Sequence, residues 1–175
     1  MSSAAPVKRP VNVIVAGLGG QGVIKASDIL ADAAFRAGLD VKKAEIHGMS
    51  QRGGSVTSDV RFGEVVHSPM IPAGEADFLV VLEPSEVAVT LPLLAPGGVL
   101  IPPDAIPAEK LANKRSLNVA LLGVLAARLD LPEEHWTAAI RAALPERLHA
   151  VNDAAFRLGR ETPLPASNRV PRRLP

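Results

Sequence analysis

The sequence contains 175 residues, of which 47% are hydrophobic, and its formal net charge at pH 7 is +1. This composition predicts a globular protein with a full core, and neither the charge nor the aromatic content of 3% favours binding to nucleic acid. The absence of cysteine excludes a disulfide scaffold, a thiolate nucleophile and a cysteine-ligated iron–sulfur cluster on this chain.

The N-terminal half predicts a strand, a glycine-rich turn, a helix and a second strand. Residues 11–16 are a β-branched run that ends at glycine, which is typical of a buried parallel strand. Apolar positions at helical spacing predict a helix over residues 21–37, Gly38 is its natural stop, and residues 39–46 predict the next strand. No stretch reaches the roughly 18 apolar residues of a membrane span, and residues 1–10 lack the apolar core of a signal peptide, so we expect no membrane contact and a cytoplasmic location.

A third strand is predicted by strict alternation of apolar and polar residues over residues 55–62. We expect it to have one exposed face and to form a hairpin with residues 64–67 through Gly63. Residues 77–82 predict another buried strand, and Pro84 predicts the start of a helix. A turn at residues 96–98 precedes a fifth strand candidate at residues 99–101.

The C-terminal third predicts three helices: residues 117–129, a helix opened by Pro132, and a helix opened by Pro145 that stops at Gly159. The whole pattern predicts an α/β fold with a Rossmann-like, mostly parallel sheet, flanking helices, a β-hairpin insertion and a helical C-terminal part. We expect an N-terminal arm at residues 1–10, a single domain at residues 11–160, and a proline- and arginine-rich tail at residues 161–175. The tail should run along the surface or stay disordered until it meets a partner.

Glycines follow the first predicted strand in the pattern G-x-G-x-x-G, formed by Gly17, Gly19 and Gly22. Such a loop allows a tight turn and close approach of a ligand, and the helix N-terminus that follows favours an anion. Gly20 and Gln21 lie inside this loop, and Glu45 is the acidic residue that would bind a ribose in a dinucleotide-binding protein. The alternative is that the glycines only allow the tight crossover from strand to helix.

A second motif, His47-Gly48-Met49-Ser50-Gln51-Arg52-Gly53-Gly54, follows directly after Glu45 and argues against dinucleotide binding. Together with the glycine loop, with residues 60–63 and with residues 118–123 and 152–159, this motif resembles the gamma-type subunit or domain of the 2-oxoacid:ferredoxin oxidoreductases. The resemblance covers roughly residues 11–161 and identifies residues 11–160 as one gamma-type catalytic domain. The short basic tail departs from the usual pattern of the family.

The resemblance implies a division of labour between two chains. A large partner chain would hold thiamine diphosphate, Mg²⁺ and [4Fe-4S] clusters, oxidise a 2-oxoacid such as an aryl pyruvate, and pass electrons to ferredoxin while coenzyme A accepts the acyl group. This chain would complete and cover the site without holding a cofactor or a metal itself, in an α2β2 heterotetramer. The absence of cysteine agrees with that division.

The candidate catalytic residues are Arg52, which is suited to binding a carboxylate or phosphate, and His47, which is suited to proton transfer. Each has a structural alternative: Arg52 in an ion pair at the subunit interface, and His47 as a hydrogen-bonded residue at a strand end. The candidate residues for binding substrate or coenzyme A are Gly17, Gly19, Gly20, Gln21, Gly22, Ser50, Gln51, Gly53 and Gly54. The rival functions are an NAD(P)-dependent dehydrogenase and a module that binds a nucleotide or coenzyme A.

Overall fold

The computed structural model describes residues 9–48 and 53–171. In this part of the chain a single sheet contains strands β1 (Val11–Leu18), β2 (Asp40–His47), β3 (Ser55–Gly63), β4 (Ala76–Val81) and β5 (Leu94–Ile101) in the spatial order β2-β3-β1-β4-β5. Strands β1, β4 and β5 are parallel neighbours, whereas β3 runs antiparallel to both β1 and β2. All strands except β3 therefore point the same way, which confirms the predicted mostly parallel α/β sheet.

The helices are α1 (Val23–Arg36), α2 (Pro84–Thr90), α3 (Leu117–Ala126), α4 (Glu133–Ala143) and α5 (His149–Glu161). Alternation along the buried strands supplies two cores. Val13 and Val15 of β1 belong to the larger core with α1, α3, α4 and α5, and Ile14 and Ala16 belong to a smaller core on the α2 side. Among the described residues no helix is long and apolar enough to cross a membrane.

The hairpin predicted between residues 55–62 and 64–67 is wrong in its partner. Residues 64–67 form no strand, and β3 pairs instead with β2 on one side and with β1 on the other. Strands β2 and β3 form a hairpin, and residues 48–54 of the second motif connect them. Sequence alternation identified the strand, but pairing with β1 depends on contacts that are remote in sequence.

The predicted exposed face of β3 is also wrong, because Asp59 on that face is only 3% exposed. The segment after β3 folds back over it, held by three side chains. Asp59 Oδ2 accepts a hydrogen bond from the Ile71 N–H at 2.9 Å, Asp40 accepts one from Val66, and Arg61 donates to two carbonyl oxygens of the segment. Burial raises the pKa of Asp59, against the opposing effects of the Ile71 bond and of Arg61.

The turn predicted at residues 96–98 lies within β5, as an irregularity in its pairing with β4. Ala76 of β4 pairs with Leu94, and two residues later Phe78 pairs with Val99, so β5 contains extra residues at this point. The tail runs along this edge of the sheet. The Gly97 N–H donates to the Val170 carbonyl, and the Val170 N–H donates to the Gly98 carbonyl. Arg169 and Val99 form an isolated antiparallel β-bridge through their backbones. The tail is therefore bound to the surface at residues 169–170, directly after a 3-10 helix at Ala166–Asn168.

Gly159 does not stop the last helix, which continues to Glu161. Its role is close packing: a Cβ atom at Gly159 would lie 1.8 Å from the Ala120 carbonyl oxygen, and one at Gly123 would lie 2.1 Å from the Phe156 carbonyl oxygen. Helices α3 and α5 thus touch backbone to backbone. By contrast Gly38, at a φ of +83°, ends α1 as predicted.

Candidate functional site

The glycine loop and the 47–54 motif meet at the carboxyl edge of β1. The Gly19 N–H donates to the Gly54 carbonyl at 3.0 Å, and the Gly48 N–H donates to the Ser55 carbonyl at 2.7 Å. Two motifs separated by about thirty residues are thereby joined through their backbones. Gly53 has a φ of +65°, a conformation that favours glycine. Met49, Ser50, Gln51 and Arg52 lie outside the described residues, so the predictions for Ser50, Gln51 and Arg52 stay predictions.

Three glycines of the first motif have reasons internal to the fold. Gly20 and Gly22 have φ values of +88° and +86°. A Cβ atom at Gly17 would lie 2.8 Å from Gln21 Oε1, and one at Gly22 would lie 2.5 Å from Asn118 Nδ2. The fold therefore accounts for Gly17 and Gly22 of the pattern, whereas a Cβ atom at Gly19 would lie 3.5 Å from its nearest neighbour, Gly53 N, at ordinary contact distance.

Gln21 fills the turn of the glycine loop with its own side chain. Its Oε1 accepts a hydrogen bond from the Leu18 N–H at 2.8 Å, and its Nε2 donates to Glu83 Oε2 at 2.6 Å. Gln21 therefore ties the loop after β1 to the residue after β4. These two bonds give Gln21 a structural role, and its predicted contact with substrate or coenzyme A stays a prediction.

Glu45 does not lie where a ribose-binding carboxylate is required. In a dinucleotide-binding fold the second strand lies directly beside the first, whereas here β3 separates β2 from β1, which shifts Glu45 by about 5 Å. Glu45 is bound to Lys43 at 2.7 Å, and this bond holds the pKa of its carboxyl below the ordinary value. His47 is mostly exposed, and its Nε2 lies 3.6 Å from Glu45.

A cavity of about 510 Å³ lies beside the glycine loop, between the start of α1 and the start of α3. Three cationic side chains, Lys25, Lys114 and Arg115, line it together with Gly20, Gln21, Gly22, Leu82, Leu117 and Asn118. The Lys25 ammonium donates to the Ala143 carbonyl at 3.2 Å, at the end of α4. The cavity is therefore basic and joins the first turn of a helix, which suits an anionic group.

Sequence reasoning missed the residues that the fold adds to this edge: Lys25, Lys114, Arg115, Glu83 and Glu86. Glu86 is only 7% exposed and accepts a hydrogen bond from Ser55 Oγ at 2.9 Å. The only sequence signals were the basic pair before the Asn118 helix and the two acidic residues flanking Pro84. Among residues 9–48 and 53–171, no group of three His, Asp or Glu side chains is arranged to hold a metal ion.

Comparisons with known proteins agree with the family resemblance of the two motifs. The sequence model of the pyruvate ferredoxin/flavodoxin oxidoreductase family matches residues 12–107 and 104–162. The indolepyruvate oxidoreductase subunit IorB of Methanothermobacter thermautotrophicus is 36% identical, over 85% of this chain and 95% of that protein. The subunit of the same name from Thermococcus kodakarensis is also 36% identical, over 85% of this chain and 93% of its own length.

A solved structure extends the likeness to the fold. The gamma subunit of a keto/oxoacid ferredoxin oxidoreductase from Geobacter sulfurreducens superposes with a TM-score of 0.74 at 25% identity, over 87% of this chain and 97% of that chain. The relatives are thus subunits of oxidoreductases that act on 2-oxoacids. They do not favour the rival expectation of an NAD(P)-dependent dehydrogenase.

Proposed function

This chain belongs to the pyruvate ferredoxin/flavodoxin oxidoreductase family, as its two motifs predicted, and from this we propose that it is the small subunit of an indolepyruvate:ferredoxin oxidoreductase. The complex would oxidatively decarboxylate indolepyruvate or another aryl pyruvate to an acyl-CoA and pass the electrons to ferredoxin. The match to the IorB relatives spans 85% of this chain and 93–95% of theirs, which supports the small-subunit assignment.

We assign the redox groups to a large partner subunit. Iron–sulfur clusters are held mainly by cysteine thiolates, and this sequence contains no cysteine. The described residues also offer no group of three His, Asp or Glu side chains for Mg²⁺. Thiamine diphosphate, Mg²⁺ and [4Fe-4S] clusters would therefore be bound by the partner in a cytoplasmic α2β2 complex, which would meet ferredoxin through that partner. The division of this chain into an arm, one catalytic domain and a tail is part of the same proposal.

The observation that carries the proposal is the junction of Gly19 with Gly54 beside a basic cavity. Coenzyme A carries several phosphate charges, and Lys25, Lys114 and Arg115 supply three cations around the cavity. We assign the phosphates of coenzyme A to this cavity, against the backbone of Gly20 and Gly22. No geometry of the bound molecule is implied.

The 47–54 motif would then cover the reacting end. Its attachment supports this, because Gly54 is bonded to Gly19 and the next residue, Gly20, lines the cavity. Arg52, Ser50 and Gln51 would bind the 2-oxoacid carboxylate or the acyl thioester, and His47 would move a proton. The alternative for Arg52 is an ion pair with the partner subunit, and kinetics on an assembled Arg52→Ala complex would distinguish these roles.

The test uses the complex assembled from this chain and its large partner. Replacing both Lys114 and Arg115 with alanine removes two exposed cations without touching the core. Since phosphate contacts made by a charged side chain contribute about 1.5–3 kcal/mol in favourable cases, we expect KM for coenzyme A to rise about 10-fold or more, with KM for indolepyruvate within about twofold.

Lys110→Ala is the matched control, because Lys110 is exposed on a neighbouring turn and does not line the cavity. It should leave both constants unchanged. An unchanged KM for coenzyme A in the double variant would reject the cavity as the binding site. A complex that forms no acyl-CoA from any aryl pyruvate would reject the proposed function.

A further inference from the structure

We propose that Glu86 is a positioning residue that fixes the base of the 47–54 motif from the first turn of α2, with Glu83 doing the same for the glycine loop. The purpose of this positioning rests on the proposed function, whereas the positioning itself does not. No relative's name and no motif in the sequence assigns a role to either carboxylate.

The two carboxylates lie at the start of one helix and reach two different loops. Glu83 immediately precedes α2 and accepts from Gln21 Nε2 at 2.6 Å, and Glu86 lies in the first turn and accepts from Ser55 Oγ at 2.9 Å. Helix α2 begins after β4, at the same edge of the sheet where β1 ends. Its first turn can therefore anchor both the glycine loop and the 47–54 motif.

Ser55 is the residue through which Glu86 acts. Ser55 is the first residue of β3, and its carbonyl accepts a hydrogen bond from the Gly48 N–H. This bond joins the two ends of the connection between β2 and β3. The adjacent Gly54 carbonyl accepts the Gly19 N–H. Fixing the Ser55 side chain to Glu86 therefore constrains the Gly48–Ser55 bond at the base of the 47–54 motif and the Gly19–Gly54 bond that joins this motif to the glycine loop.

The burial of Glu86 supports a role beyond stability. A carboxylate that is 7% exposed loses much of its hydration, and an apolar side chain would fill the same space without that cost. The hydrogen bond from Ser55 compensates in part and is directional, whereas an apolar contact is not. Glu86 therefore offers Ser55 a contact of fixed direction, as positioning of the loop requires.

The experiment compares Glu86→Ala, Glu86→Gln and Ser55→Ala in the assembled complex and in the isolated chain. Exchange of the Gly19 and Gly48 amide hydrogens reports the two backbone bonds directly. Loss of a charge-assisted hydrogen bond should accelerate their exchange about 10-fold or more in Glu86→Ala and Ser55→Ala. Glu86→Gln retains an acceptor oxygen and should stay within about threefold of the wild type.

Thr90→Val is the control, because Thr90 is buried on the same helix and its hydroxyl donates to the Glu86 carbonyl without contacting either loop. It should destabilise α2 yet leave exchange at Gly19 and Gly48 unchanged. In the complex, Glu86→Ala and Ser55→Ala should each lower kcat about 10-fold with little change in KM for coenzyme A. Glu86→Gln should keep kcat close to that of the wild type.

Wild-type exchange at both amides in Glu86→Ala and Ser55→Ala would overturn the proposal, as would acceleration equal to that in Thr90→Val. If Glu86→Ala fails to fold, Ser55→Ala decides alone, since Ser55 is exposed and its replacement breaks the same bond from the loop side. An inactive wild-type complex would reject the proposed function, and the exchange rates would still decide the role of Glu86.

Discussion

Gln21→Glu tests whether the glycine loop is held by its own side chain or is an open cradle for a ligand. The substitution preserves shape and keeps an oxygen for the Leu18 N–H, which Gln21 Oε1 accepts at 2.8 Å. It replaces the Nε2 donor with a second oxygen at the position that lies 2.6 Å from Glu83 Oε2. A hydrogen bond thus becomes a contact between two carboxylates.

The magnitude follows from two losses. A hydrogen bond to a charged group contributes about 1.5–3 kcal/mol, and two like charges about 3 Å apart repel by about 1.5–3 kcal/mol at an effective dielectric constant of about 40–80. The pair is only partly buried, so rotation of the side chains and solvent screening reduce the sum. We expect a decrease of about 2–4 kcal/mol in the free energy of unfolding at pH 7.

Urea unfolding between pH 4 and pH 8 measures this decrease. Repulsion requires both carboxylates to be ionised and makes the folded pair bind a proton more tightly than the unfolded chain does. The penalty is therefore full at neutral pH and diminishes as the pH falls toward about 4.

The exchanged pair, Gln21→Glu with Glu83→Gln, restores a donor and an acceptor in reversed order and should recover most of the stability. A loss independent of pH, or no recovery in the exchanged pair, would refute the assignment of Gln21 to Glu83. A loop that served only as a ligand cradle would tolerate the single substitution without loss of stability.

Two further predictions concern the fold around the site. Burial raises the pKa of Asp59 in the folded state, so ionisation of this carboxyl disfavours folding as the pH rises through its titration. The stability of Asp59→Asn relative to the wild type should therefore increase between pH 3 and pH 7. Parallel pH profiles of the two proteins in urea unfolding would contradict this. Gly159→Ala should lower the free energy of unfolding by about 3 kcal/mol or more, because the added Cβ clashes with the Ala120 carbonyl. Gly38→Ala is the control: its Cβ would have nothing within 4 Å, so only the positive φ should cost stability, by about 1 kcal/mol. Equal losses in thermal or urea unfolding would show that α3 and α5 do not pack through their backbones.

Local sequence signals predicted the elements well because each depends on short-range periodicity. The alternation of residues 55–62, the stop at Gly38 and the start at Pro84 all correspond to elements of the structure. The errors occur where long-range pairing decides. Nothing in residues 55–63 indicates that β3 lies between β2 and β1, and the polar face of that strand looks solvent-exposed until the segment bonded to Asp59 is seen to cover it.

The site divides in the same way. The two motifs were recognisable in the sequence, and the structure joins them through the hydrogen bond between Gly19 and Gly54. The basic cavity was not recognisable, because Lys114 and Arg115 lie about ninety residues beyond the loop that they flank. Their proximity is created by the crossover into α3, and a basic pair in a sequence is most often only a solvated part of the surface.

The inserted strand also explains why a glycine signature misleads here. In a dinucleotide-binding fold the loop after the first strand faces a gap beside the second strand, and the ligand fills that gap. Here β3 occupies the neighbouring position, and Gly54, the residue directly before β3, accepts the Gly19 N–H. The tight turn still requires glycine at positive φ at Gly20 and Gly22, so a glycine-rich loop is expected here with or without a bound nucleotide. What the loop offers instead is the flank at Gly20 and Gly22, where the cations of the cavity gather.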